Sequence, residues 1–207
     1  METNESRLMN SRLGPLFLGF SLLSMATPAS ALDHPPYLPT RDVAVTYRTV
    51  SEDSHVPNQL QVAYSAATDR LRVEGGGQGF LIIDLRAQRA ILVMSRERSW
   101  MELPPQAAAL ARSLIPNESM GFTRKGSDRV AGLSCTNWDV SSERGSGTVC
   151  LTADGVLLRG QGSDHQGRSG ELEATKVVYA PQPDSEFEPP AGYRRFDPAD
   201  LLRKLPR

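Results

Sequence analysis

Phe80-Leu81-Ile82-Ile83-Asp84-Leu85 and Ala90-Ile91-Leu92-Val93-Met94-Ser95 are two apolar runs divided only by Arg86-Ala87-Gln88-Arg89, and Ser99-Trp100-Met101-Glu102-Leu103 follows after Arg96-Glu97-Arg98. Short apolar runs closed by polar breaks read as successive strands of a meander. They are apolar at consecutive positions rather than alternate ones, so both of their faces are expected to be covered. A cover lies directly downstream. Pro105 to Ile115 carries proline at its start, alanines at 107–109 and 111, Leu110, Leu114 and Ile115, and stops at Pro116, which predicts one short helix lying as a lid on the sheet.

Upstream the pattern changes to strict alternation. Val43, Val45 and Tyr47 alternate with Ala44, Thr46 and Arg48; Leu60, Val62 and Tyr64 repeat this, and Ala66-Ala67-Thr68-Asp69 turns the chain into Leu71 and Val73. These are half-buried strands. Gly75-Gly76-Gly77-Gln78-Gly79 leads into a strand, whereas a phosphate loop needs a helix whose N-terminus meets the phosphates, so it is read as a flexible connection. Downstream, strands are predicted at about 120–125, 129–141, 147–152, 156–161 and 171–180. Ser146-Gly147, Ala153-Asp154-Gly155 and the loop Ser163 to Gly170 act as punctuation. Asp184, Glu186 and Glu188 alternate with Ser185 and Phe187 and read as a solvated acidic stretch before Pro189-Pro190.

The first 31 residues read as an export signal: Arg7 and Arg12, an apolar core with Leu16-Phe17-Leu18 and Leu22-Leu23, then Pro28 and Ala29-Ser30-Ala31, with cleavage after Ala31. The apolar core is too short for a membrane span, which takes about 20 residues. Translation from Met9 rather than Met1 gives a cleaner signal. Cleavage leaves residues 32–207, with an extended lead-in at 32–42, one domain at 43–196 and a short amphipathic segment at 197–207. It removes two basic and two acidic residues and so keeps the net charge at −1, which gives no pull toward nucleic acid. Cys135 and Cys150 are the only cysteines, and an exported chain pairs them. If they sit opposite each other the hairpin centres near Ser142 and Glu143. The glycines at 145 and 147 point slightly later, so a bulge or irregular turn is expected.

Motifs of chemistry are sparse. HExxH, Cys-x-x-Cys and Gly-x-Ser-x-Gly are lacking, and His34, His55 and His165 fall in loop or lead-in segments. Asp164-His165 near Ser163 and Ser169 lacks the strand-to-helix elbow of a hydrolase nucleophile. No enzyme activity, metal or cofactor is expected.

The order of features resembles a known group. Asp69-Arg70-Leu71-Arg72-Val73-Glu74, then Ile83-Asp84-Leu85 through Ile91-Leu92-Val93-Met94 and Trp100-Met101-Glu102-Leu103, the helix, Val130-Ala131-Gly132-Leu133 to Trp138-Asp139-Val140, and Phe187-Glu188-Pro189-Pro190-Ala191-Gly192-Tyr193 look like exported bacterial proteins classed as a domain of unknown function. That group is similar in pattern to the periplasmic lipoprotein-carrier superfamily, which includes LolA, LolB and the N-terminal domain of RseB. The resemblance implies a mainly β (α+β) fold, a strongly curved antiparallel sheet forming an unclosed half-barrel with a short helical lid. Carriers hold the acyl chains of lipoproteins in the concave cavity, while the RseB-type domain is associated with envelope sensing. The carriers' strand arginine corresponds to Arg72, which implies a lid-latching or ligand role; a solvent-facing strand arginine gives the same pattern.

The expected function is a soluble periplasmic protein binding a lipid, acyl chain or other apolar ligand, with an apolar small molecule, a lipidated protein or an envelope protein as the expected partner. Its site is expected to be lined by Phe80, Ile82, Ile91, Val93, Trp100, Met101 and Trp138 and covered by Leu110 and Leu114. The alternative is an envelope-sensing or protein-interaction module with a filled core. The basic C-terminal segment, with Arg194, Arg195, Arg203, Lys204 and Arg207, offers peripheral contact with an anionic membrane.

Overall fold

The computed structural model describes residues 34–52, 56–113 and 115–197. The export signal, His55, Leu114 and the amphipathic residues beyond Asp197 lie outside the described residues. The chain forms β1 (Val43–Ser51), β2 (Gln59–Ser65), β3 (Arg70–Gly75), β4 (Gly79–Asp84), β5 (Arg89–Met94) and β6 (Ser99–Glu102), then α1 (Pro105–Arg112). It continues with β7 (Gly121–Val130), β8 (Leu133–Ser142), β9 (Gly145–Leu151), β10 (Leu157–Asp164), β11 (Ser169–Val178), a one-turn 3-10 helix (Asp184–Phe187) and β12 (Arg194–Arg195). All strands belong to one 12-stranded sheet of order β12-β6-β5-β4-β3-β2-β1-β11-β10-β9-β8-β7. Two meanders meet where β11 pairs with β1, and the sheet does not close into a barrel.

The connectivity forces the sheet to curl. β6 and β7 are consecutive in sequence yet ten strand spacings apart, about 48 Å in a flat sheet. The link between them holds a helix of 8 residues, about 12 Å long, and folds back on itself where Ile115 N–H bonds Arg112 C=O and Met120 N–H bonds Asn117 C=O. Such a link is too short for a flat sheet, so the two ends approach each other and the link crosses the concave side. The β7 end curls further. Asp128 on β7 reaches Arg159 on β10 at 2.7 Å, although those strands lie about 14 Å apart in a flat sheet.

Strand register separates the faces. Val43, Tyr64, Leu71, Ile83 and Ala90 form one cross-strand row on the concave side, and Ala108 of α1 packs on Ile83 and Ala90. The adjacent row, Ala44, Ala63, Arg72, Ile82 and Ile91, faces the convex side. Its apolar end is also covered: Phe187 packs on Phe80, Ile82, Ile91 and Val93, with Trp100 and Tyr193 around it. Double coverage of β4 and β5 therefore holds, with α1 on one face and the C-terminal segment on the other.

Several local expectations are corrected. Phe187 is not part of a solvated stretch; it is 3% exposed and anchors residues 184–196 to the sheet. The strand predicted over 129–141 is broken by a hairpin turn at Ala131-Gly132, both with positive φ (48° and 79°), the geometry of a two-residue type I′ turn. Ser146-Gly147 lies inside β9 rather than at a turn. Cys135 and Cys150 are bonded, with Cα atoms 5.4 Å apart, but they are diagonal neighbours: Cys150 pairs with Asn137. That offset centres the hairpin on Glu143-Arg144, where Ser142 pairs with Gly145, and removes the need for a bulge.

Half-buried, paired carboxylates tie the loops down. Arg86 and the Tyr64 hydroxyl hold the Asp69 carboxyl below the usual carboxylate range. Asp154 is pushed up by burial but held down overall by hydrogen bonds from Thr152, Arg41 and Tyr179. A carboxyl whose pKa is lower in the folded state stabilises the fold above its unfolded value, near 3.9, and loses that stabilisation as the pH falls through the folded value. The thermal midpoint is thus expected to stay level from about pH 7 to 5 and to fall below about pH 4. Melting curves across that range check it, and a midpoint that rises on acidification would contradict the assignment.

Candidate functional site

The concave face of the β7–β11 half is bare where three neighbouring strands place glycine in one cross-strand row. The row runs Ser51, Gly170, Gly162, Gly147, Val140 and Phe122. In the next row Gly160 lies between Leu172 and Val149, followed by Trp138. Side chains of a strand stand roughly perpendicular to the sheet, so a glycine row removes one layer of them. The backbones also approach closely there: a Cβ at Gly147 would lie 2.2 Å from the Gln161 carbonyl oxygen, and one at Gly162 would lie 2.8 Å from that of Ser146.

The result is an open trough of about 670 Å³, within the range of small-molecule sites. Its walls are Met120, Phe122, Val140, Val149 and Leu157, and Pro116 of the α1–β7 link borders it. Among the aromatic side chains Phe122 lines it, and further rings pack behind Phe122. Phe122 meets Trp138 edge-on with ring centroids 6.3 Å apart, Tyr37 lies 5.9 Å from Phe122, and His34 stacks on Tyr37 at 4.6 Å. Beyond Pro116 a second cavity of about 540 Å³ borders the end of α1, lined by Tyr37, Leu85, Ala109 and Ile115 among others.

The residues expected to line the site are not brought together here. Phe80, Ile82, Ile91 and Val93, with Trp100, form the closed convex cluster under Phe187, where a cavity of only about 80 Å³ remains beside Ile82 and Ile91. Met101 pairs with Leu92 at the far end of the sheet. Trp138, 5% exposed, stands behind Phe122 at the trough. Leu110 is 52% exposed and covers nothing. Ala108, Ala111 and Ile115 turn toward the sheet at helical spacing, which puts Leu110 on the outer side of α1.

Arg72 leaves the concave face altogether. Its guanidinium carbon lies 3.5 Å from the Phe80 ring centroid, Nη2 is 2.8 Å from the Glu74 carboxylate, and Nη1 is 3.3 Å from both the carboxylate and the carbonyl oxygen of Glu186. It ties the C-terminal segment to the convex face. The two described histidines have separate partners. His34 Nδ1 lies 2.9 Å from the Pro35 carbonyl and His165 Nε2 lies 3.0 Å from that of Glu143. Among the described residues, no cluster of three His, Cys, Asp or Glu side chains is placed to hold a metal.

An open, curled antiparallel sheet with a helix across its concave side is the architecture implied by the carrier resemblance. Residues 64–160 match the model of a family described as a domain of unknown function (DUF4412), which meets the expected likeness to an uncharacterised domain family. No curated protein matches the chain. Among solved structures it is similar to MucB in complex with MucA from Pseudomonas aeruginosa, at 15% identity over 72% of this chain and 56% of that one, TM-score 0.49. Lipoprotein LppX of Mycobacterium tuberculosis is similar at 15% identity over 70% and 89% of the two chains, TM-score 0.44. A LolA superfamily protein of Nitrosomonas europaea is similar at 12% identity over 73% and 91%, TM-score 0.37. The chain thus spans little more than half the length of the MucB chain it matches.

Proposed function

We propose that this protein binds the acyl chain of a lipid or lipidated protein in the glycine-floored trough of β7–β11, in the bacterial periplasm after removal of residues 1–31. The observation that carries the reading is the row Gly170, Gly162 and Gly147 beneath walls of Phe122, Val140, Val149 and Leu157: an apolar channel that the protein's own side chains leave open. Apolar walls suit a tail held by desolvation, and the polar lining residues, among them Arg144, Asp164, His165 and Arg168, lie at the hairpin turns. The Cys135–Cys150 disulfide fits an oxidising compartment. No catalytic step is assigned to the site.

Native purification from the periplasm followed by organic extraction and mass spectrometry tests the reading, with a stoichiometric acyl species expected. Val140→Trp is the matching variant. Val140 lies between Phe122 on β7 and Gly147 on β9, so an indole at 140 directed toward β9 extends over bare backbone and fills the trough. It is expected to lose the co-purified lipid and the binding of a fluorescent fatty acid while keeping the wild-type circular dichroism and melting midpoint. An empty wild-type protein that also fails to bind the probe would overturn the reading.

A further inference from the structure

We propose that the trough selects acyl ligands bearing an anionic headgroup, carboxylate or phosphate, with Arg144 at the mouth as the headgroup contact. The inference rests on the acyl-binding reading above and deepens it. The apolar walls end at two hairpin turns that reach the same rim: Glu143-Arg144 between β8 and β9, and the segment from Asp164 to Arg168 between β10 and β11. Arg144, Asp164, His165 and Arg168 all line the cavity there.

The charges at this rim are unequally satisfied. The Asp164 carboxylate is saturated: it accepts the backbone N–H groups of Gln166 (2.9 Å) and Arg168 (3.0 Å), and Arg168 Nε (2.8 Å) and Nη2 (2.7 Å). Arg168 holds Asp164 below the usual carboxylate range, so it stays ionised and paired. His165 Nε2 is directed at the Glu143 carbonyl. Arg144 is different. Its Nη1 hydrogen-bonds the Ser113 hydroxyl just after α1, which bridges the mouth, and it makes no ion pair among the described residues. Ser142, Ser146 and Ser163 add hydroxyls around it. A guanidinium held in place without a carboxylate, at the open end of an apolar channel, is complementary to an amphiphile whose tail fills the channel and whose anion stops at the rim.

The test compares cis-parinaric acid with its methyl ester, which share a tail and differ in charge. At low salt the acid is expected to bind about tenfold more tightly than the ester, the scale of one charge-assisted hydrogen bond. Arg144→Gln is expected to remove most of that ratio without changing ester affinity, and Arg144→Lys to restore part of it. Lysophosphatidic acid displacing the probe from wild type but not from Arg144→Gln would extend the contact to phosphate. Equal binding of acid and ester, both blocked by Val140→Trp, would overturn headgroup selection while leaving the trough intact. A ratio unchanged in Arg144→Gln would also overturn it. Binding of neither probe would bring down the acyl reading and this inference together.

Discussion

Phe187→Ala is expected to lower the unfolding free energy by about 3–5 kcal/mol, the cost of deleting a buried phenyl ring. Phe187 is 3% exposed and inserts its ring among Phe80, Ile82, Ile91 and Val93. It sits on a single 3-10 turn, so little regular structure would hold that turn in place without it. The contacts that remain include the Arg72–Glu186 ion pair at 3.3 Å, the packing of Tyr193 on the same cluster and the two-residue pairing of β12 with β6. Partly exposed ion pairs contribute about 1 kcal/mol or less. The variant should therefore release the C-terminal segment as well as open a cavity, exposing the convex face of β4 and β5. Urea unfolding with a parallel measurement of hydrophobic-dye binding checks both. A loss below about 1 kcal/mol, a small effect for a buried aromatic residue, with no added dye binding would show that the segment does not cover the sheet.

Reduction of the Cys135–Cys150 bond is expected to cost about 3 kcal/mol, the loop-entropy value for a closed loop near 15 residues, and the separation here is 15. Both cysteines are buried, at 4% and 1% exposure. The bond staples β8 to β9 beside the Asp128–Arg159–Glu173 ion pairs that join β7, β10 and β11. Local opening should concentrate in the β7–β9 region, which carries the Phe122, Val140 and Val149 walls of the trough. Unfolding measured with and without reductant, together with hydrogen exchange of β8 and β9, provides the check. A reduced protein as stable as the oxidised one would remove the bond from the forces that shape the trough.

Strand alternation made much of this architecture legible. Val43, Val45 and Tyr47 do face the core from one side of β1, and the consecutive apolar runs of β4 and β5 are covered on both faces as their composition requires. Proline marked the start of the helix, which ends at Arg112 rather than running to Ile115 before Pro116, and the cysteine pair followed from there being only two. The site was less legible. Glycine marks turns and bare strand floors alike, because it both permits positive φ and carries no side chain. Gly147, inside β9, and Gly155, at a turn with φ +86°, therefore look the same in the sequence. The G-x-G spacing at 145–147 and 160–162 was the available signal, since residues two apart in a strand share a face.

The sequence by itself determined much of the local order: where most strands and the helix begin and which cysteines pair. Those properties depend on side-chain period and on residues close along the chain. Only the tertiary structure decided which cover lies on which face. Period-two alternation divides a strand into two sides without saying what each side meets. Phe187 reaching Phe80, Leu110 turning outward and three glycines aligning across β9, β10 and β11 all depend on register between distant segments. The open space accordingly lies in the β7–β11 half, while the convex apolar cluster at β4–β6 is filled by the protein's own C-terminal segment.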